Sequence, residues 1–308
     1  MADAEIEKPK ADSTKTVAII PAHNEERYIG SVVLQVRKHV DVVIVVDDGS
    51  TDATAEIAEA AGAIVIRHSQ NLGKGAALNT GFREARKLLP QAVVVLDADG
   101  QHQAREIPSL MRPVLQGEAD MVVGSRFLGV RSAIPRLRVF GMRTLTIASN
   151  LGSGVKVSDS QTGFRAFSEE AFSRIDFQSH GFSVESEMQF LAKELGLRIV
   201  EVPISVSYTG AAKRNILAQG LEVLNGLLQL IGQHRPLLFF GVPGLAMLLF
   251  GLWWGYRVVE IYRKVQELAI GYALLAVLLC IVGSVILSTG ITLHTLRALL
   301  LELVRPKE

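Results

Sequence analysis

The sequence predicts an α/β domain built on a parallel sheet, followed by an amphipathic helix and a two-helix membrane hairpin. Three observations carry this. Strand-like and helix-like segments alternate through the first 125 residues, the pattern of right-handed βαβ crossovers. Several of the β-branched runs stop abruptly at acids followed by glycine. Two apolar runs in the last quarter each reach the roughly 20 residues that cross a bilayer.

The 308 residues leave room for a full domain and more. A formal charge of +1 gives no global field for nucleic acid. The lone cysteine, Cys280, excludes an intramolecular disulfide and a Cys₂-type metal site, and within an apolar run it reads as an inert thiol. Residues 1–15 are rich in Asp, Glu and Lys and lack an apolar core, so they read as a disordered tail and not as a secretory signal.

Residues 16–20 form the first strand, closed by Pro21, which has no N–H to give a ladder. Asn24 is the expected N-cap of a helix reaching about Lys38, with Glu25 and Glu26 in its first turn. Residues 41–46 form a second strand ending at Asp47-Asp48-Gly49, and the next helix runs to Ala61, with Gly62 at its C′ position. Acids there suit a base or ribose hydroxyls. A receiver-type acidic cluster is the competing reading, which the chain length disfavours. Residues 63–66 form a third strand. Gly73 and Gly75 then bracket Lys74 at the start of a helix ending near Leu89, a setting that favours anions. The spacing is not that of a Walker loop, and no G-x-G-x-x-G follows any strand, which disfavours a Rossmann dehydrogenase.

Residues 93–96 form a strand buried on both faces, ending in Asp97-Ala98-Asp99-Gly100-Gln101-His102. Two hard oxygen donors spaced i, i+2 at a strand's carboxyl end suit Mg²⁺ or Mn²⁺ bridging a diphosphate, although a solvated Asp-Gly turn alone explains the same letters. A helix over 107–115 and a strand over 121–123 lead to Arg126, placed either to fork onto a phosphate or to pair with an acid. Arg131, Arg136, Arg138 and Arg143 make 131–143 a basic loop that would attract anionic head groups or a lipid phosphate. Residues 159–165 read as a polar turn, 181–196 as a helix carrying Glu185 and Glu187, and 199–206 as an edge strand interrupted by Pro203.

In 216–233, Leu217, Leu221, Leu224, Leu228 and Ile231 recur at helical steps, which fits a helix lying in the membrane interface. Residues 237–256 and 268–293 are the two apolar runs, separated by the charged stretch 257–267. Trp253, Trp254 and Tyr256 mark an interface. Two crossings return the chain to the side it left. Basic residues on both sides orient it only weakly.

Taken together, Pro21 to Glu26, Val46 to Asp52, Asn71 to Gly75, Asp97 to Gln101, Gly124 to Arg126 and Thr162 to Arg165 resemble, in order, glycosyltransferase family 2 with the GT-A fold. Within it the chain is similar to the polyprenyl-phosphate and dolichyl-phosphate sugar synthases. The resemblance makes 16–213 a GT-A catalytic domain, preceded by the tail (1–15) and followed by the interfacial helix (214–235) and a membrane hairpin with a short tail (236–308). It implies nucleotide-sugar contacts from Pro21, His23, Asn24, Glu25, Val46, Asp48, Lys74, Asp97, Ala98, Asp99, Gln101, Arg126 and Lys213. His23 stands where tyrosine is usual. Asp97, Asp99 and Gln101 would hold Mg²⁺ or Mn²⁺, Arg126 and Arg143 the acceptor phosphate, and Asp99, Arg126 and Asp159 would act in catalysis. The implied reaction is inverting, metal-dependent transfer of one hexose from a nucleotide diphosphate sugar to polyprenyl or dolichyl monophosphate, on the cytoplasmic face of a bilayer. GDP-mannose is favoured over UDP-glucose or UDP-GlcNAc. The Gln-x-x-Arg-Trp signature of processive synthases is absent. A membrane-anchored nucleotide-sugar-binding scaffold, or a family 2 transferase with another lipid or glycan acceptor, is the alternative.

Overall fold

The computed structural model describes residues 15–129, 136–177, 184–207, 225, 232, 235–267 and 269–304. The chain falls into two compact units, 1–226 and 227–308. The interfacial helix expected over 214–235 lies almost wholly outside the described residues, as does Lys213.

The first unit is built on a seven-stranded sheet. In chain order the strands are β1 (Thr16–Ala22), β2 (Val42–Asp47), β3 (Ile64–Arg67), β4 (Ala92–Val95), β5 (Met121–Ser125), β6 (Arg165–Ser168) and β7 (Ile199–Pro203). They lie in the order β3-β2-β1-β4-β6-β5-β7. The expected parallel pairing holds for β1 with β2, β1 with β4, β2 with β3, and β5 with β7. It fails at β6, which runs antiparallel to both β4 and β5. Arg165 therefore opens a strand and does not close a polar turn. Its four residues begin with a guanidinium and carry no apolar run, so pairing with two neighbours makes this strand where local propensity gives no sign of it. Pro203 ends the edge strand and does not interrupt it, lying opposite Ser125.

The helices are α1 (Ile29–Val36), α2 (Thr54–Ala60), α3 (Lys74–Arg86), α4 (Ile107–Leu115), α5 (Arg136–Ser153), α6 (Glu169–Arg174) and α7 (Val184–Glu194). Alternate residues of each strand face opposite layers, as the strand period of two requires. Ala18, Ile20, Val43, Val45 and Val94 meet α1, α2 and α4 on one face. Val17, Ile19, Ile44, Val46 and Val93 meet α3, α6 and α7 on the other. Burial on both faces is why these runs read as unbroken apolar stretches. Two local expectations are corrected. Asn24 does not cap α1, which starts at Ile29, so Glu25 and Glu26 precede its first turn. The basic stretch is not all loop, because from Arg136 onward it is the helix α5.

In the second unit a π-helical turn (Leu237–Gly241) leads into α8 (Val242–Val265), and α9 (Ile270–Val304) returns antiparallel to it. Both helices outrun the expected spans. Their apolar stretches, within Leu237–Val265 and Ile270–Arg297, are only 17% and 11% buried. Core helices of a soluble protein would be covered, so the exposure favours a bilayer as solvent. The contact between the helices is made at glycines seven residues apart, Gly244 and Gly251 on α8 and Gly283 and Gly290 on α9. A Cβ at Gly244 would lie 2.5 Å from the Leu287 amide nitrogen, and one at Gly283 2.6 Å from that of Leu248. The backbones thus touch directly, as small residues allow in apolar surroundings.

Candidate active site

The carboxyl ends of β1, β2 and β4 open on one edge of the sheet, where ligands of open α/β sheets bind. The loops after β1 and β2 are laced together. His23 Nδ1 donates to the Asp48 carbonyl at 2.8 Å, which leaves Nε2 to accept from Asn24 Nδ2 at 3.2 Å. Asn24 adopts φ +55° and accepts the Thr51 amide at 2.9 Å, while its own amide donates to Ser50 Oγ. The Glu25 amide donates to Thr54 Oγ1 at 2.7 Å. Pro21 lies opposite Val46 in the sheet. Val46 is wholly buried and Ala98 nearly so. The side chains of both are core, so any contact they make with a ligand comes from backbone.

Asp48 is buried and already engaged. Its Oδ1 accepts the Leu72 amide at 2.9 Å and His68 Nδ1 at 2.8 Å, and its Oδ2 accepts the Gly73 amide at 2.8 Å. His68 Nε2 then takes the Thr80 hydroxyl at 3.0 Å. The carboxylate therefore pins the Asn71 to Gly73 loop that delivers Lys74. His68 escaped the sequence reading, since a histidine after a short strand gives no signal by itself.

Lys74 is the centre of the site. Its ammonium donates to Asp97 Oδ1 at 2.5 Å and to Glu185 Oε1, from the first turn of α7, at 2.6 Å. Burial works against each of these charges, but mutual attraction wins. The Lys74 ammonium is held above its ordinary range, and the Asp97 carboxyl is held well below its own by Lys74 and His102. His102 Nε2 lies 3.5 Å from Asp97 Oδ2, with its ring against Phe164. The backbone of Gly163 closes the far side, where a Cβ would lie 2.7 Å from Asp97 Oδ2 and 2.9 Å from Lys74 Nζ. Asp99 behaves oppositely, pushed up by burial and then by the Asp97 charge. Its Oδ1 accepts the Gln101 amide at 3.0 Å, and Gly100 takes the turn at φ +72°.

Arg126 and Asp159 form one unit. Arg126 Nε and Nη2 fork onto Asp159 Oδ2 and Oδ1 at 2.6 and 2.8 Å, and the Arg126 amide adds a third bond at 3.2 Å. Asp159 is wholly buried, and what it does in the fold is hold the Arg126 guanidinium in place. Beside it, Arg165 is also wholly buried. It donates to the Thr162 and Ser160 carbonyls, and burial draws its pKa down to about 10. Arg143 is exposed on α5, its guanidinium 5.4 Å from the centre of the Phe127 ring.

The donor set fits a divalent cation. Two half-buried carboxylates at i, i+2 at the carboxyl end of β4 match the habit of Mg²⁺, which binds one or two carboxylates and completes its shell with water and phosphate. The raised Asp99 marks like charges that a cation would reconcile. Among the described residues no group of three or more His, Cys, Asp and Glu forms a closed metal cage.

Comparison with known proteins shows the family and the fold. The family model of glycosyl transferase family 2 matches residues 17–176. The UDP-N-acetylglucosamine–dolichyl-phosphate N-acetylglucosaminyltransferase of Methanococcus voltae is 35% identical over 68% of this chain and 90% of its own. The polyprenol monophosphomannose synthase of Mycolicibacterium smegmatis is 31% identical over 62% of this chain and 77% of its own. Glucosyl-3-phosphoglycerate synthase of Mycobacterium tuberculosis, solved with Mn²⁺, UDP-glucose and phosphoglyceric acid, superposes with a TM-score of 0.57 at 28% identity, over 71% of this chain and 80% of that one.

Proposed function

The chain belongs to glycosyl transferase family 2, and from that premise we propose that it moves one hexose from a nucleotide diphosphate sugar to a polyprenyl or dolichyl monophosphate at a membrane. The observation that carries the reading is one chain joining the Asp97-Lys74-Asp99 crevice to an apolar helical hairpin exposed along its length. Relatives named for polyprenol, undecaprenyl and dolichyl phosphates support the acceptor. GDP-mannose is the donor of first choice, with UDP-glucose and UDP-GlcNAc next, and the catalytic unit stands on the cytoplasmic face.

An acceptor phosphate is already anionic, so no strong general base is needed and catalysis rests on positioning and charge. Pro21, His23, Asn24, Glu25 and Asp48 shape the nucleotide end of the crevice. Mg²⁺ or Mn²⁺ on Asp97, Asp99 and Gln101 would supply charge neutralisation for the departing diphosphate. Lys74 adds a fixed positive charge to the same wall. Arg126, locked by Asp159, and Arg143 and Lys213 draw the phosphates together, so the sugar inverts in a single displacement.

The test is transfer from each of the three donors to a short polyprenyl phosphate, with the full chain in lipid nanodiscs, with and without Mn²⁺. Transfer that needs the cation and fails in Asp99→Ala is expected. Donor binding without any transfer would make the chain a binding scaffold. Transfer only to an acceptor other than a lipid phosphate would overturn the acceptor assignment.

A further inference from the structure

The segment that delivers Lys74 to Asp97 has no core of its own. Ser69, Gln70, Asn71 and Leu72 are all exposed. An exposed segment without buried apolar contacts opens easily unless something else holds it. Here a single carboxylate does so. Asp48 accepts from both ends: from His68 Nδ1 at the start, at 2.8 Å, and from the Leu72 and Gly73 amides at the finish, at 2.9 and 2.8 Å. The middle rests on bare backbone, since a Cβ at Gly49 would lie 2.4 Å from the Gln70 carbonyl carbon.

His68 is what fixes the carboxylate. The side chains of His68 and Asp48 are 9% and 5% exposed. A carboxylate only accepts, so Nδ1 carries the ring proton, and Nε2 is left to take the Thr80 hydroxyl at 3.0 Å. Arg83 Nη2 donates to the same Thr80 oxygen at 3.2 Å. A relay thus runs from Arg83 through Thr80 and His68 to Asp48. It ties the end of β2 to the body of α3, whose Leu78 and Phe82 lie in the core. Without the ring, Asp48 would keep only the two amides of the segment that it has to hold. The stake is the Lys74 ammonium, which already donates to Asp97 Oδ1. An ammonium there and a divalent cation on the same carboxylate repel one another, so the two compete.

We propose that His68 is a positioning residue: by latching Asp48 to α3 it fixes the segment before Lys74, and so sets how hard the ammonium competes with a divalent cation for Asp97. This rests on the reading of Asp97 and Asp99 as cation ligands. The test uses the full chain in nanodiscs without nucleotide. Hydrogen exchange over residues 70–74 follows the segment, and electron paramagnetic resonance follows Mn²⁺ affinity. His68→Gln reaches Thr80 but has no donor in the place of Nδ1, whereas His68→Asn sets an amide nitrogen there. Loss of a hydrogen bond to a charged group should speed exchange in His68→Gln about tenfold. Mn²⁺ should bind this variant about threefold more tightly, short of the gain from Lys74→Met, because the ammonium is loosened and not removed. Thr80→Val, which leaves the histidine in place, should show the same signs at smaller size. His68→Asn should match the unaltered protein in both readouts. In a Lys74→Met background, His68→Gln should change exchange but not Mn²⁺ affinity. A merely structural role would leave Mn²⁺ affinity the same or weaker, which would overturn the proposal. Tightening that persists in Lys74→Met would overturn it too, since the effect would not pass through the ammonium. Unchanged exchange in His68→Gln would refute the latch. Mn²⁺ that binds neither the unaltered protein nor Lys74→Met would remove the cation reading and the proposal with it.

Discussion

Replacing Asp159 by Asn keeps the shape of its side chain and removes its charge. The side chains of Arg126 and Asp159 are 7% and 0% exposed, so the substitution strands a guanidinium in a dry interior. Removing one partner of a buried ion pair costs about 3–5 kcal/mol. For a unit of this size each kcal/mol moves the melting temperature by about 2–4 °C, so the unit should melt roughly 6–20 °C lower. Intrinsic tryptophan fluorescence will miss this, because both tryptophans, Trp253 and Trp254, lie in α8. Far-UV circular dichroism, or hydrogen exchange at the β5 amides, follows the right unit. The double variant Arg126→Met with Asp159→Leu leaves no unpaired charge and should recover most of the lost stability, while transfer stays lost. Asp159→Asn with an unchanged melting temperature would refute the reading of this pair as a buried ion pair, and the double variant with normal transfer would refute the proposed part of Arg126 in transfer.

Further outcomes follow from other contacts. Lys74→Met removes the positive charge from Asp97 and should tighten Mn²⁺ binding in the absence of nucleotide by roughly tenfold, measured by electron paramagnetic resonance, while transfer falls. Glu185→Gln should do the reverse to the metal, since Lys74 then belongs to Asp97 alone. Gly163→Ala forces Asp97 and Lys74 aside by its Cβ and should abolish transfer with little change in circular dichroism. Asp120 is held below the usual carboxylate range by its bond to Arg198, whose amide it also accepts at 2.8 Å, docking β7 onto β5. A lowered pKa contributes stability above about pH 3.8 that is lost as pH falls through the lowered value. The melting deficit of Asp120→Asn at pH 7 should therefore vanish in acid. Gly244→Leu should open the hairpin to protease, whereas Gly255→Ala, with no atom nearer than 3.7 Å to the new carbon, should not.

The parts of the fold that could be read from the sequence share a physical property: their signal is local. Strands buried on both faces announce themselves as β-branched runs, and acids that end them stand out against that background. This is why Asp48, Asp97 and Asp99 could be marked from the letters alone. The parts that could not be read depend on partners far along the chain. Glu185 reaches Lys74 across 111 residues, and nothing in its own helix distinguishes it from a solvated acid. Arg126 could be placed at a strand end, but its pairing with Asp159 is set by a loop 33 residues away. Strand β6 is legible only once β4 and β5 have left a gap between them. Asn24 looked like a helix cap because caps and cross-loop bonds draw on the same short polar side chains.

The hairpin has a consequence for how the chain is made. Two helices long and apolar enough to cross a bilayer, joined by a short turn, can do so only by taking that turn to the far side of the apolar layer. That turn is charged, with Arg257, Glu260, Arg263, Lys264 and Glu267. On α8, Glu260 accepts from Arg257 at 2.8 Å and from Lys264 at 3.0 Å, so a three-residue ion cluster can cross with its charges partly cancelled. The tip of the hairpin thus reaches any bilayer with three of its charges already paired.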